Sequence, residues 1–596
     1  MDKRTIIAFV IIGVIIIFWN DYYRWIYPPP PPGLRTETVD SLSSPAPVPP
    51  STVKTSPGFI DRAAPGNVSS PETSPLTSYA DNLLEIKEQK VTVETEDYRA
   101  VLSSKGARLL SFVLKPSRRY LKKEIELLPD YLGSNLGYQF WTMDGQVDSR
   151  SFSYQVENRE EEEFINYRVP SGGVREVTFV SVLGIDRELR IIYTFKAGDH
   201  AFLLHAESRN LEQLWVRDYG EVFWQNGLAY TEPDTSQDSY YSRAYVHYKG
   251  DVLENLKINH KKEVKEGPTT GDARWAALRT KYFMAAIIPE TVPAKGAWME
   301  NRLDSTYIGK YPPNRLGIGL LLPLERGNIT TPVRVYIGPL DDAILNQTDP
   351  SLKKIMSWGA GIPGLDAVIK PISKGVLWGL KALYGLIPNY GLCIIIFSIL
   401  IKVIIWPLTK KSYQSMSAMQ RLQPKIQEMR EKYKNDPQRL QRETMLLYKE
   451  EGVNPMGGCL PMLLQMPLLY ALFIVFRATI EFRRASFIFW IKDLSLPDTI
   501  FSLPFNLPLY GNQVAVLPIV MGVTTFFQSK STITDPNQKM MLYFMPIFLT
   551  LIFNQFPSGL TLYYTLFNVW TLVQQKITPP PRPAAAGNGG GKLKKI

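Results

Sequence analysis

The sequence predicts a multi-domain protein in which an exported all-β domain is joined to an α-helical membrane part. Residues 82–350 show short alternating runs of apolar and polar residues, broken by Gly, Pro, Asn and Asp, which is typical of strands. Residues 386–577 instead contain several long apolar runs, which are typical of membrane-spanning helices. A chain of 596 residues is long enough to hold both parts.

The first 27 residues predict an uncleaved transmembrane anchor. Lys3 and Arg4 precede an apolar run over residues 6–19, and a cluster of Trp and Tyr follows it. A signal peptide begins in the same way, but no small-x-small cleavage site follows this run. Basic residues before the run and aromatic residues after it indicate a cytoplasmic N-terminus. Residues 28–81 are rich in Pro, Ser and Thr and predict an extended linker.

The domain at residues 82–350 predicts a large β-sandwich. In one run, alternation places Leu189, Ile191, Tyr193 and Phe195 on a common face that should be buried. In a second run, Val333, Val335 and Ile337 alternate in the same way. All four histidines of the chain lie in this domain, at His200, His205, His247 and His260. Their spacing matches no metal-ligand pattern, so we expect structural roles and no bound metal.

Residues 351–385 predict an amphipathic helix that lies along the membrane interface. Lys370, Lys374 and Lys381 share one helical face, and apolar residues such as Ile369 and Val376 lie away from it. A buried helix of a soluble domain is the alternative interpretation of the same pattern.

Five further spans complete a prediction of six. They comprise residues 386–409, residues 456–478 and three helices within residues 513–577, connected by a helical hairpin at 410–455 and a loop at 479–512. Ten Lys and Arg residues in 410–451, against three in 482–512, predict that the hairpin is cytoplasmic. Both termini are then cytoplasmic and the β-domain is exported. Cys393 and Cys459 lie near opposite ends of neighbouring spans, so no disulfide is expected.

Most of the formal net charge of +11 belongs to the cytoplasmic segments. The hairpin contributes +4, and the tail at 578–596, together with Lys576 before it, contributes +5. Such basic segments suit anionic lipid and ribosomal RNA, although topology signalling explains these charges equally well. No DNA partner is expected.

Lys402 is the most unusual residue of the membrane part because it lies inside the apolar run at 391–408. A charge in the hydrocarbon costs roughly 2.5 to 3.5 kcal/mol on insertion scales, so such residues usually face a bundle interior or a wet cavity. Snorkelling to nearby headgroups is the alternative. Ser398 lies four residues earlier, on the same helical face, and further polar residues occur in the other spans, including Gln465, Tyr563 and Tyr564. Together they indicate a hydrated groove, while hydrogen bonding between helices explains each one singly.

Motifs for covalent or metal chemistry are absent from the sequence. It contains no Walker A sequence, no His-Glu-x-x-His, no Gly-x-Ser-x-Gly and no pair of cysteines at zinc spacing. We therefore predict that the protein is not an enzyme and uses no cofactor.

Five stretches of the membrane part resemble the YidC-type membrane-protein insertases, in their bacterial form with a large periplasmic domain. The stretches are GVNPMGGCLPMLLQMPLLYALF, WPLTKKSYQSMSAMQRLQPKIQEMR, WIKDLSLPD, TDPNQKMM and FPSGLTLYYTLFN, and the match covers residues 385–577. The resemblance implies a multi-pass protein of the bacterial inner membrane with a five-helix insertase core and a hydrophilic groove. It also implies a periplasmic β-supersandwich similar to carbohydrate-processing folds, with no known requirement for catalysis.

The resemblance assigns the groove's positive charge to Lys402, at a position where most members carry Arg. It associates Ser398, Gln465, Tyr563 and Tyr564 with the groove and with substrate contact. The implied function is to insert nascent membrane proteins and help them fold, alone or with the Sec translocon. The basic charge of the hairpin and tail makes these segments candidate contacts for the ribosome. A small-molecule or proton-coupled transporter using the same groove is the alternative, and an exported sugar-modifying enzyme is a further rival.

Overall fold

A computed structural model describes most of the β-domain and of the helical part. The described residues are 87–116, 121–128, 135–143, 145–159, 161–183, 186–259, 261–303, 315–324, 332–359, 364–453, 460–507, 510–532 and 539–577. The expected anchor, the linker, the basic tail, His260 and Cys459 lie outside these residues.

The β-domain is built mainly from strands. The strands are β1 (Lys90–Glu94), β2 (Tyr98–Ser103), β3 (Arg108–Leu114), β4 (Ile125–Glu126), β5 (Leu136–Thr142), β6 (Gly145–Asp148), β7 (Gln155–Val156), β8 (Phe164–Arg168), β9 (Val174–Val182), β10 (Glu188–Lys196), β11 (Ala201–Arg209), β12 (Tyr219–Trp224), β13 (Arg243–Tyr248), β14 (Leu253–Lys257), β15 (Val264–Arg279), β16 (Phe283–Pro289), β17 (Ala294–Asn301), β18 (Leu316–Pro323) and β19 (Val333–Pro339). Two short helices accompany them, α1 (Thr235–Tyr241) and α2 (Asp342–Thr348).

The strands form two sheets that share one core, so the predicted β-sandwich is confirmed. One sheet has five strands in the order β4-β3-β2-β1-β8, with β1 and β8 parallel. The other has fourteen strands along the path β6-β5-β12-β18-β17-β15-β16-β19-β11-β10-β9-β7, from which β13 and β14 branch at β15. The alternation predicted for β10 is confirmed because Leu189, Ile191, Tyr193 and Phe195 are all buried.

Aromatic side chains from both sheets fill the centre of this core. Phe195 of β10 lies 5.2 Å from Phe202 of β11 and 6.4 Å from Tyr98 of β2, measured between ring centroids. Tyr98 in turn stacks on Phe112 of β3 at 4.6 Å. The two sheets are therefore held together by contacts of large rings, which bury much apolar surface per residue.

Two histidines of the domain, His200 and His247, are buried. His247 lies against Trp275 with 5.0 Å between ring centroids, and its Nε2 is 3.3 Å from Asp251 Oδ1. Within the described residues, no group of three or more His, Cys, Asp or Glu side chains could hold a metal ion. Cys393 is buried, and its Sγ donates a hydrogen bond of 3.3 Å to the carbonyl oxygen of Ile387.

The helical part follows the β-domain in the chain. Its helices are α3 (Leu365–Leu386), α4 (Tyr390–Lys432), α5 (Pro437–Glu450), α6 (Leu460–Ala478), α7 (Val516–Thr532), α8 (Lys539–Phe553) and α9 (Ser558–Ile577). A two-stranded hairpin, β20 (Thr499–Leu507) and β21 (Gly511–Ala515), lies between α6 and α7. Most of this hairpin lies within the segment predicted as the loop at 479–512.

The helix α4 joins the expected first core span to the first arm of the expected cytoplasmic hairpin. It begins at an N-cap, where Asn389 Oδ1 accepts a hydrogen bond from Leu392 N, and it continues through Pro407 and Pro424 without ending. The predicted turn separates it from α5, which Asp436 caps through Arg439 N at 3.0 Å. The return arm ends at Gly452, which has a positive φ of 66°.

The structure contains one helical stretch, among the described residues, that is both long and apolar enough to cross a membrane. This stretch is Tyr390–Pro407, while Gln465–Ala478 and Leu542–Phe553 are shorter apolar stretches. The expectation of six spans therefore stays a prediction.

The helix α3 packs its apolar face on α6, as its amphipathic pattern predicts. Ile369 of α3 belongs to one buried cluster with Ala471 and Ile474 of α6. Lys381 differs from the other two lysines of the predicted polar face. Its Nζ lies 3.1 Å from Oε1 of Glu481, which follows α6 directly in the chain. Burial raises the pKa of the Glu481 carboxyl above its ordinary value, although the Lys381 ammonium acts in the opposite direction.

We expect Phe195→Ala to lower the free energy of unfolding by about 3 to 5 kcal/mol, because it leaves a cavity among the central rings. Chemical unfolding of the full chain, followed by tryptophan fluorescence, measures this change. Phe164→Ala is the matched control, since Phe164 is 66% exposed, and we expect it to stay within about 0.5 kcal/mol of the parent. Equal effects of the two substitutions would contradict the assigned core.

Candidate functional site

The predicted site residues of α4 meet α9 along one helix contact. The outer segments of the two helices are fixed by close packing on neighbouring residues. A Cβ at Gly391, at the start of α4, would lie 1.9 Å from the ring of Phe487. A Cβ at Gly559, at the start of α9, would lie 2.8 Å from the ring of Phe476 in α6. Side chains larger than hydrogen do not fit at either place without movement.

Lys402 points into this contact and not toward the surface. Its side chain is buried, with a residue exposure of 4%, and its Nζ donates a hydrogen bond of 2.7 Å to Thr571 Oγ1. The ammonium also lies 3.9 Å from the ring centroid of Phe567, one turn earlier in α9. Val403 and Ile404, the next residues of α4, are exposed. The helix therefore places its charge inward and its apolar side chains outward.

The charge of Lys402 has no acidic partner among the described residues. A hydroxyl group and an aromatic face stabilise it instead. A desolvated cation over an aromatic ring gains about 2 kcal/mol or more, which offsets part of the cost of burial. The ammonium therefore still attracts a carboxylate electrostatically, because no neighbouring side chain of the described residues forms an ion pair with it.

Ser398 lies one turn before Lys402 and also contacts α9. Its hydroxyl donates to the carbonyl oxygen of Ile395 at 2.7 Å and accepts a hydrogen bond of 3.3 Å from Trp570 Nε1. The two residues predicted to share a face of α4 therefore do share it, and both contact α9.

The remaining predicted residues surround this contact in different ways. Tyr563 is buried on α9, and its ring centroid lies 6.5 Å from Phe397 of α4 and 6.2 Å from Phe567. Tyr564 faces another side of α9 and contacts Phe553 of α8 at 5.4 Å. Gln465 lies on α6, and no described residue accepts a hydrogen bond from its buried Nε2. The buried hydroxyl of Tyr563 likewise has no hydrogen-bond partner in the described part of the chain.

The residues that hold Lys402 were not among those predicted from the sequence. Thr571 and Phe567 lie on the α9 face that also carries Trp570, and the face continues to Gln574, whose Nε2 donates to Thr409 Oγ1 of α4 at 2.9 Å. These positions recur at intervals of three and four residues along α9, so the signal was present in the sequence. The site residues predicted on this helix, Tyr563 and Tyr564, lie before this stretch.

Asn568 instead joins α9 to α7. Its Nδ2 donates to Thr525 Oγ1 at 2.8 Å and to Thr524 Oγ1 at 3.3 Å. The helix α9 therefore lies between α4 and α7, with polar contacts to both. Buried polar bonds of this kind specify which helices pack together.

Two cavities open beside these helices. A polar one of about 210 Å³ lies where α4, α7 and α9 approach one another, and its lining includes Tyr413, Gln420 and Lys576. An apolar one of about 470 Å³ lies between α7 and α8, and its lining includes Ile519 and Ile547. Both recesses border α7.

Comparisons with known proteins match both parts of the chain. A family model described as 60Kd inner membrane protein matches residues 382–581, and one described as YidC periplasmic domain matches residues 90–364. A membrane protein insertase YidC from Chlorobaculum parvum is 34% identical, covering 96% of this chain and 94% of the relative. Another from Chloroherpeton thalassium is 32% identical, covering 96% and 95%.

A solved structure described as an active YidC insertase with its first transmembrane domain resolved is also similar. It is 19% identical, covers 83% of this chain and 94% of its own, and has a TM-score of 0.34. The two curated relatives match nearly the whole chain at more than 30% identity and carry one name. The chain therefore belongs to the YidC family of membrane protein insertases, which act at the inner membrane.

Proposed function

We propose that this chain inserts nascent membrane proteins through a groove formed around α4, α6 and α9, with Lys402 as its positive charge. A short hydrophilic segment of the substrate, often acidic, enters this groove, where the ammonium offsets part of its desolvation. The apolar segment that follows moves into lipid, because removing apolar surface from water is favourable. The membrane potential favours outward movement of the acidic segment.

The observation that supports this proposal most directly is the buried ammonium of Lys402 without an acidic partner among the described residues. Its present contacts, Thr571 Oγ1 and the ring of Phe567, are neutral groups. A substrate carboxylate exchanges these weaker partners for an ion pair, which is stronger in a site of low dielectric constant. In this view the structure represents the resting arrangement, and Ser398, Gln465, Tyr563 and Tyr564 border the path of the substrate.

The apolar surfaces beside the charge suit the second half of the reaction. Val403 and Ile404 are exposed on the outer face of α4, and the apolar cavity between α7 and α8 is open along Phe527. We propose that the hydrophobic segment of the substrate leaves along such surfaces. No covalent step and no cofactor takes part, so the mechanism is not enzymatic.

The proposed topology has six spans, with both termini in the cytoplasm and the β-domain in the periplasm. Its boundaries are the anchor at 1–27, the linker at 28–81, the periplasmic domain at 82–350, the interfacial helix at 351–385, the spans at 386–409, 456–478 and within 513–577, the hairpin at 410–455, the loop at 479–512 and the tail at 578–596. The Lys and Arg bias of the hairpin over the loop supports this orientation.

Partners beyond the substrate follow from the charged surfaces. The basic hairpin and tail suit anionic lipid and ribosomal RNA on the cytoplasmic side. We propose that the ribosome delivers the substrate there. The chain then acts alone or beside the Sec translocon.

We expect Lys402→Glu and Lys402→Ala to slow insertion of substrates with acidic translocated tails more than of substrates with neutral tails, by roughly tenfold for one lost charge interaction. Lys402→Arg should be tolerated because the charge remains, although the planar guanidinium meets Thr571 differently. Insertion into proteoliposomes, with matched acidic and neutral substrates, measures the difference. Equal slowing of both substrates would contradict the electrostatic step.

We expect Thr571→Val to lower the free energy of unfolding by about 1 to 3 kcal/mol, because a buried ammonium loses its acceptor. The matched control is Thr565→Val, since Thr565 Oγ1 donates only to the Thr561 carbonyl of its own helix at 2.8 Å. Adding Lys402→Met to Thr571→Val should recover part of the loss. The measurement is denaturant unfolding in lipid nanodiscs, and equal losses in both threonine variants would count against a specific role for Thr571.

Photo-crosslinking during insertion of a short single-span protein tests the groove directly. We expect probes at Gln465 and Tyr564 to give crosslinks that disappear when insertion is complete. A probe at Trp378, which is exposed on α3 and distant in sequence from the proposed path, controls for random contact. Crosslinks at Trp378 equal to those at the other two positions would show that the substrate uses no defined groove.

A further inference from the structure

We propose that the buried ion pair between Glu232 and Arg483 positions the groove helices from the periplasmic side, so that both residues are positioning residues for insertion. The inference rests on the proposed function for the identity of the groove helices. Glu232 belongs to the β-domain, and Arg483 belongs to the loop at residues 479–498, which follows α6 directly. The pair therefore joins the two parts of the chain.

The ion pair is closed off from solvent. Arg483 Nε lies 2.6 Å from Glu232 Oε1, and the side chains are 0% and 3% exposed. The guanidinium also packs on rings of the β-domain, with 5.3 Å to the centroid of Phe283 and 5.9 Å to that of Tyr282. Ile480, three residues before Arg483, lies in the same hydrophobic cluster as the β-domain core. One short segment of the helical part is thus embedded in the β-domain.

The same segment controls the end of α6. Tyr282 Oη donates to the carbonyl oxygen of Arg477 in the last turn of α6 at 3.3 Å. Glu481 accepts a hydrogen bond from Lys381 Nζ of α3 at 3.1 Å. The β-domain and α3 therefore both hold the point at which α6 ends.

The rest of the 479–498 loop forms hydrogen bonds that fix the starts of α9 and α7. Arg484 N donates to Asp493 Oδ2 at 3.0 Å, across a turn in which Arg484 adopts a positive φ of 55°. Ser558 Oγ, at the start of α9, donates to the Asp493 carbonyl oxygen at 2.8 Å. Asp498 Oδ2 accepts from Leu517 N at the start of α7 at 2.8 Å. The loop thus connects one end of each of three helices.

Only a short length of helix separates this loop from two residues of the proposed groove. Thr571 lies thirteen residues beyond Ser558, and Gln465 lies thirteen residues before Ala478. Each separation corresponds to about 20 Å along a helix axis. A shift of the loop therefore moves both walls of the proposed groove.

Removing one partner of a buried ion pair and removing both partners have different effects on stability, and this difference provides a test. Breaking a buried ion pair by removing one partner is strongly destabilising, whereas replacing both partners with apolar residues of similar volume is often tolerated. We would compare Glu232→Met, Arg483→Met and the double variant in the full chain, reconstituted in proteoliposomes. The control is the same substitution set at the exposed pair Lys249 and Asp272, whose side chains are 70% and 53% exposed.

We expect each single variant to slow insertion by roughly fivefold or more and to lower crosslinking at Gln465 and Tyr564, as for directly coupled residues. The double variant should recover most of both losses, and the control pair should change neither. Protease resistance of the β-domain reports whether it stays folded. Single variants that insert at the parent rate with a folded β-domain would overturn the proposal, as would a double variant no better than the worse single one.

A milder variant keeps the test decisive if the single variants fail to fold. Ser558→Ala removes only the hydrogen bond between α9 and the Asp493 carbonyl. It should lower crosslinking at Tyr564 while leaving that at Gln465 unchanged, and no change at Tyr564 would overturn the proposal. Absence of any crosslink in the parent would count against the groove itself, while the insertion rates would still test the ion pair.

Discussion

The buried ammonium of Lys402 is the constraint to which the helical part is adapted. An apolar helix gains nothing from a charge at this place, so the surroundings must compensate for it. The face of α9 does so with a hydroxyl, an aromatic ring and further polar groups at intervals of three and four residues. Because these partners are neutral, the compensation is incomplete. Under the proposed function, incomplete compensation leaves the ammonium available to an acidic segment that binds transiently.

The sequence predicted one side of this contact and not the other. Spacing alone placed Ser398 and Lys402 on one face, because residues four apart in a helix are neighbours. It could not identify Thr571 as the partner, since 169 residues separate it from Lys402 and periodicity says nothing about which helices meet. The strands of the β-domain were more predictable. Alternation in β10 arises from burial of one face, so the pattern and the fold have the same physical cause.

The loop at residues 479–498 shows where prediction from sequence fails for a physical reason. Its polar and charged residues resemble those of an ordinary exposed loop, and Lys381 resembles the other lysines of its amphipathic helix. Both charges are instead paired inside the structure, Arg483 with a residue 251 positions away and Lys381 with Glu481. Ion pairs between segments that are distant in the sequence produce no periodic pattern in it. They become visible only when the fold brings the segments together.

Burial of the ion pair at Arg483 explains why deleting the whole β-domain and removing one partner of the pair should have different effects. Because the proposed groove lies in the helical part, we expect insertion to survive deletion of most of residues 90–320. The contact between the β-domain and the helical part is nevertheless buried, and it is bonded to the ends of the helices that form the proposed groove. Loss of the whole domain removes Glu232 together with the rings of Tyr282 and Phe283, so water reaches the guanidinium and solvates it. Loss of Glu232 alone leaves the Arg483 guanidinium buried without this ion-pair partner, and breaking a buried ion pair from one side is the more costly change. We therefore expect the smaller change to be the more disruptive one, since the docked β-domain still constrains the helices when one partner of the pair is lost.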